Sequence, residues 1–146
     1  MQYSMLLWPH ANARYQNETM GLARAELTIL LEALCPGAEI FPEAPALTEV
    51  SAPVALPAVR FASEKPLDAR VVEAISRHSL LYALFEARTD GSLLPLTGRA
   101  RPLLGSDLPG ILKYKGKTNE LFCQLLINVA YYAANRPENA RLLDPL

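Results

Sequence analysis

The chain has 146 residues, 51% of them hydrophobic, with 14 basic and 15 acidic side chains for a net charge of −1. That is enough for one well-buried core, and the near-zero charge excludes the global pull toward nucleic acid or acidic surfaces that a basic protein exerts. No apolar run reaches the ~20 residues of a membrane-spanning helix, and the segment after Met1 lacks the basic residues and apolar length of a secretory leader.

In chain order, Tyr3 to Trp8 reads as a short buried strand ended by Pro9. The polar stretch from Pro9 to Asn17 reads as a loop. Either it faces substrate, with Arg14 for phosphate and Tyr15 for stacking, or it is a capping and packing loop. The packing reading is preferred. A helix follows from about Met20 to Leu34, its apolar face made by Leu22, Ala23, Leu27, Leu30, Leu31 and Leu34. Glu26 and Glu32 are expected in solvent, and Pro36-Gly37 stops the helix. Ala38 to Phe41 suggests a short strand. Residues 36 to 57 hold Pro36, Pro42, Pro45, Pro53 and Pro57, which limits any strand there, such as one around Leu47 to Val50, to an edge. No PxxP in a basic setting supports a proline-rich ligand.

Ala58 to Ala62 reads as a strand with Arg60 pointing outward. Asp68 then caps a helix that runs to about His78, with Val71, Val72 and Ile75 inward. His78 is expected to meet carbonyls or the dipole at that helix end. Leu80 to Arg88 is apolar on both faces, so it is expected to be a central strand. Asp90-Gly91 signals a turn, with Leu93 to Leu96 returning as a hairpin. The order strand, helix, strand, strand, helix, strand, strand implies an α+β fold. It predicts a mainly antiparallel sheet with helices on one face, broadly ferredoxin-like.

From Gly91 to Asn119 the balance turns basic: Arg99, Arg101, Lys113, Lys115 and Lys117 face one acid, Asp107. Glycines keep this backbone open. It reads as a basic linker able to lie along RNA or line a ligand mouth, or as a solvated connector between domains. Lys115, Lys117 and Thr118 stand at the amino end of a second long helix, where free amides favour an anion. That helix runs from about Thr118 to Ala134. Leu121, Phe122, Leu125, Leu126, Val129, Ala130 and Ala133 make its apolar face. Asn128, polar on a mostly apolar helix, is expected to bond across to a neighbouring strand. Arg141 to Leu146 reads as a strand that has just begun, so the chain is expected to be cut at the start of a domain. The acid at the carboxyl end of such a strand suits a doubly wound sheet.

The pattern Arg101-Pro102, then Lys113-Tyr114-Lys115-Gly116-Lys117-Thr118-Asn119-Glu120, then Leu126-Ile127-Asn128-Val129-Ala130, then Leu142-Leu143-Asp144-Pro145 resembles the entry to the catalytic domain in the RNA methylase family. These are S-adenosylmethionine-dependent methyltransferases related to the tRNA guanine-N2 methyltransferases. The resemblance covers residues 99–146. It implies three parts: an accessory substrate-recognition domain over 1–97, a basic linker over 98–117, and the helix and first strand of a Rossmann-like methyltransferase domain over 118–146. It implies S-adenosylmethionine in the full-length protein, with Lys117, Thr118, Asp144 and Pro145 near the cofactor. It also implies RNA, tRNA or rRNA, as substrate, met by Arg14, Tyr15, Arg99, Arg101, Lys113 and Lys115. The glycine-rich cofactor turn and the Asn/Asp-Pro-Pro-Tyr-type motif of such enzymes are absent. This chain alone is therefore expected to be inactive and to bind no cofactor.

The rival reading is a non-catalytic binding or regulatory module, or half of a split enzyme. It would act through a partner subunit or a second copy docked on the helix at 118–134. A hydrolase is disfavoured: there is no Gly-x-Ser-x-Gly, no Cys/His pairing and no carboxylate cluster. Cys35 and Cys123, far apart in sequence, read as reduced thiols of a cytoplasmic protein, and with His10 and His78 they make no metal-ligand pattern.

Overall fold

The computed structural model describes residues 1–9, 13–42, 57–98 and 120–134, with the side chains of residues 13–15 and 17 outside that description. The elements in order are β1 (Gln2–Leu7), α1 (Ala13–Leu34), β2 (Glu39–Ile40), β3 (Ala58–Ala62), α2 (Ala69–Ser76), β4 (Leu81–Ala87), β5 (Leu93–Gly98) and α3 (Glu120–Ala133). The strands form one five-stranded sheet in the order β2-β3-β1-β4-β5. Every adjacent pair is antiparallel. The protein is thus an α+β fold, with β1 at the centre.

Alternation along β1 explains why it lies there. Tyr3, Met5 and Leu7 join the core with Val59 and Phe61 of β3 and Leu81 and Leu84 of β4. Both helices close over this same face. Ala23, Leu27, Leu30 and Leu31 of α1 and Val71, Ala74 and Ile75 of α2 belong to the one cluster, as expected of helices with a stripe at 3.6-residue spacing. Tyr3 and Phe61 stack at 5.2 Å between ring centroids in the middle of it. The Tyr3 hydroxyl, at the edge, accepts from the Leu67 amide at 3.2 Å.

Local signals set the element ends. Gly37 adopts φ +90° after α1, a left-handed conformation that favours glycine. Asp68 caps α2, its carboxylate accepting from the Val71 amide at 2.9 Å. The β4–β5 hairpin turns at Gly91, φ +82°, with the Arg88 amide donating to the Ser92 carbonyl at 2.9 Å.

The structure corrects three expectations. The stretch read as a loop through Asn17 is helical from Ala13, so Arg14 and Tyr15 lie in the first turn of α1. Polar residues with no glycine or proline among them are compatible with helix, and burial of Thr19 ties that end down. Glu26 is not in solvent but 1% exposed. β4 does not alternate evenly. Its register against β1 steps from Leu7↔Leu81 to Leu6↔Ala83, so Tyr82 is an inserted bulge residue. In addition, α3 packs on α1 of its own chain.

The face of α3 turned inward also differs from the apolar stripe read from sequence. Leu125 is buried and Leu121 and Tyr132 pack against the core, whereas Phe122, Leu126 and Ile127 are exposed. Ala130 and Ala133 are exposed as well. The reason lies in the buried carboxylate described next. Among the described residues, no helix is long and apolar enough to cross a membrane.

Candidate functional site

Two places in the described structure gather chemistry-bearing side chains. The first is interior. Glu26 projects from α1 into the junction of α1, α2 and α3, where Glu26, His78 and Ser79 are each at most 1% exposed. Burying a carboxylate costs several kcal/mol unless donors surround it, and here they do. The Ser79 amide donates to Oε1 at 3.0 Å and the Ser79 hydroxyl to Oε2. Asn128 Nδ2 donates to Oε1 at 2.6 Å. The same Nδ2 donates to the Arg77 carbonyl at 2.9 Å, and Gln124 Nε2 donates to that carbonyl at 2.7 Å. Two amide side chains on α3 therefore face inward because they complete the solvation of Glu26 and of the end of α2. This turns Phe122, Leu126 and Ala130 outward.

His78 lies beside this cluster, its Nε2 3.5 Å from Glu26 Oε2. Its ring bridges two elements. Nδ1 accepts from the Leu80 amide at 3.2 Å, and Nε2 lies 3.0 Å from the Ala23 carbonyl. A backbone amide can only donate, so Nδ1 is the acceptor and Nε2–H donates to Ala23. The sequence expectation that His78 meets carbonyls at its own helix end is corrected: the carbonyl belongs to α1. Asn128 likewise bonds to α1 and to the turn after α2 rather than to a strand. With both ring nitrogens engaged and no exposed surface, Glu26 and His78 act as a structural clasp rather than an acid–base pair.

Two grooves flank α3. One of about 350 Å³ lies toward α2 and is lined by Arg70, Arg77, Asn128, Tyr131 and Tyr132 among others. Arg77 is held by Glu73 at 2.6 Å on the exposed side of α2. Burial raises the Tyr132 hydroxyl above its ordinary pKa, with Tyr131 adding to the effect. The other groove, about 270 Å³, is lined by Leu22, Leu80, Leu121, Phe122 and Leu125 with Thr19 and Ser79. Among the described residues, no three His, Cys, Asp or Glu side chains gather in a way that could hold a metal ion.

The second place is the sheet face away from α1 and α2. Strand parity puts Gln2, Ser4 and Leu6 there, opposite the core residues Tyr3, Met5 and Leu7. Reading across the sheet, Ser4 pairs with Arg60 on one side and Phe85 on the other, and Phe85 pairs with Pro95. Phe41 extends the row beyond Arg60, its amide donating to the Arg60 carbonyl at 3.0 Å. Arg60 is exposed, as its outward position in the sequence reading requires, and Phe41 and Phe85 are half-buried. Trp8 follows the core residue Leu7 and so turns to this face. There its ring meets Tyr82 edge-on at 5.0 Å, with the two side chains 45% and 47% exposed. The bulge in β4 brings Tyr82 here. Counted back from Ala83, which lies opposite Leu6 on this face, regular alternation would turn Tyr82 to the core side; the extra residue leaves Tyr82 on this face while Leu81 returns to the core side opposite Leu7.

The sequence-derived site residues are not brought together by what the structure describes. Arg14 and Tyr15 lie on α1, their side chains outside the described residues. Arg99, Arg101, Lys113, Lys115, Lys117, Thr118, Asp144 and Pro145 lie outside the described residues, as do the strands expected at Leu47 to Val50 and Arg141 to Leu146. The reading missed Glu26, whose i to i+4 place beside Leu22, Leu27 and Leu30 put it at the border of the apolar stripe. It also missed the Trp8–Tyr82 pair, for which no local signal exists because the bulge depends on how β4 pairs with β1. Comparison of the chain with protein-family models, with curated proteins and with solved structures returns no match.

Proposed function

We propose that this chain is the N-terminal, substrate-placing part of an S-adenosylmethionine-dependent RNA (or DNA) methyltransferase. Two lines support the reading. The first is the resemblance of residues 99–146 to the entry of RNA methylase catalytic domains. The second, which carries it structurally, is an α+β unit whose helices occupy one side of its sheet and leave an arginine and several aromatic rings on the other. The strand order β2-β3-β1-β4, with α1 and α2 as the two crossovers, matches two interlocked split β-α-β units and supports the ferredoxin-like reading. In this proposal α3 leads toward a Rossmann-like domain, and Asp144 and Pro145 lead into the cofactor turn. Lys117 and Thr118 stand near that cofactor, and Arg99, Arg101, Lys113 and Lys115 lie along the RNA backbone.

Calorimetric titration tests this. S-adenosylmethionine alone should give no heat of binding. Bulk tRNA should bind with an affinity that falls steeply with salt, because each neutralised phosphate releases counterions. Replacing Lys113 and Lys115 together by alanine should lower the slope of log affinity against log salt by about one to two. Tight S-adenosylmethionine binding would overturn the division of labour between this chain and a later domain. Absence of tRNA binding would overturn the substrate-placing role.

One observation favours the rival reading of a module that acts through a protein partner. The outward face of α3 exposes Phe122 and Leu126, one turn apart, at 43% and 50%, with Ile127 at 49% on the flank toward α2, and exposed large apolar side chains gathered on one helix favour a partner interface. Light scattering of the chain and of Leu126→Glu separates the readings. An oligomer dissolved by that substitution supports the module.

A further inference from the structure

The sheet face away from α1 and α2 carries exposed aromatic rings and an exposed arginine, Trp8, Tyr82 and Arg60, a composition that selects among ligands. We propose that it receives a single-stranded stretch of RNA, with bases stacking on Trp8, Tyr82 and Phe85 and a phosphate held by Arg60. This rests on the RNA reading above and assigns to it a site that the basic segment does not supply.

Three observations carry it. Trp8 and Tyr82 are nearly half exposed although they are large rings in mutual contact. An edge-on pair leaves ring surface free for a flat partner, and stacking on aromatic faces is how proteins hold unpaired bases without regard to sequence. Next, the row Phe41, Arg60, Ser4, Phe85 runs straight across four strands. Three inter-strand spacings of about 4.8 Å make it roughly 14 Å long, a span on which sheet platforms stack about two or three bases. Third, the row holds one cation and no acid. Among the described residues the nearest acid on this face by register is Glu39, opposite Ala62 at the sheet edge, so an anionic backbone meets Arg60 rather than a carboxylate. A duplex does not fit. Its bases are stacked on each other and offer no free face to Trp8, Tyr82 or Phe85.

The chain contains one tryptophan, Trp8, and it lies on this face, so its fluorescence reports occupancy directly. Titrating the chain with 12-nucleotide oligo(U) and oligo(A), and with a 12-base-pair RNA duplex, should quench Trp8 with the single strands and not with the duplex. Tyr82→Ala, Phe85→Leu and Arg60→Glu should each weaken single-strand binding about tenfold or more, the loss expected for one stacked base or one charge contact. Tyr82 and Arg60 are exposed, so those two variants retain the fold, which a melting curve verifies. Single-strand binding without quenching, and unchanged in Tyr82→Ala and Arg60→Glu, would overturn this site while leaving the RNA reading intact. Equal quenching by duplex would overturn the preference for unpaired bases. No binding of any RNA would overturn both the site and the reading it rests on.

Discussion

Asn128→Ala is the sharpest probe of how α3 is attached. In the protein, one amide group donates to the buried Glu26 carboxylate at 2.6 Å and to the Arg77 carbonyl at 2.9 Å. A hydrogen bond to a charged group is worth about 1.5–3 kcal/mol and one between neutral groups about 0.5–1.5 kcal/mol. Two facts reduce the sum. Gln124 still donates to the Arg77 carbonyl, and Ser79 still holds both carboxylate oxygens. Asn128 is also only half-buried, so water can replace part of what is lost. The expected cost is about 2 kcal/mol, borne by α3 docking before the sheet. That corresponds to opening of α3 rising about 30-fold. Amide hydrogen exchange over residues 120–134 measures it, and urea unfolding followed by Trp8 fluorescence gives the global figure for comparison. A double-mutant cycle with Glu26→Gln isolates the coupling between the two side chains. A change below about 0.5 kcal/mol, with exchange of α3 unaltered, would refute the claim that Glu26 orients this helix.

Other outcomes follow from the same physics. Phe61→Ala removes a fully buried ring stacked on Tyr3 and should cost about 3–5 kcal/mol, lowering Tm by roughly 10 °C or more. Asp68→Ala removes the cap of α2 and should cost about 1 kcal/mol in chemical denaturation, with Asp68→Asn nearly neutral. Hydrogen bonds from the Ser92 hydroxyl and amide hold the Asp90 carboxyl below its ordinary pKa. Its contribution to the hairpin is therefore full above the usual carboxylate range and is lost as pH falls through the depressed value. A pH titration of the Ser92 amide by NMR reads this, and Asp90→Asn should remove the dependence. Tyr132 has the opposite sign. Burial raises its pKa above about 10, so its contribution to α3 docking is full below that pH and declines as pH rises through the raised value. Alkaline melts should show the decline in the native chain and not in Tyr132→Phe.

Much of the fold is legible in local pattern. Ala58 to Ala62 alternates and forms β3 over those residues, Asp68 caps α2, and Asp-Gly turns the hairpin. These features depend on neighbours a few residues apart, through backbone sterics, capping and the periods of 2 and 3.6. The α+β class follows from their order. The candidate site is less legible, since Arg60 alone of its residues was read as outward-facing, and the resemblance that suggests RNA lies in residues 99–146.

Three features depend on contacts distant in sequence. Glu26 looks like a solvent residue on its own helix and becomes interior because Ser79 and Asn128, 53 and 102 positions away, supply its donors. That demand then rotates α3, so its polar amides face in and Phe122 and Leu126 face out, against the reading from hydrophobic period alone. Tyr82 reaches the sheet face away from α1 and α2, beside Trp8, because β4 carries one more residue than β1 can pair. Periodicity records which residues avoid water on average. It holds no record of where a buried charge finds its donors or where two strands fall out of step, and in this protein those two circumstances decide which way α3 and Tyr82 face.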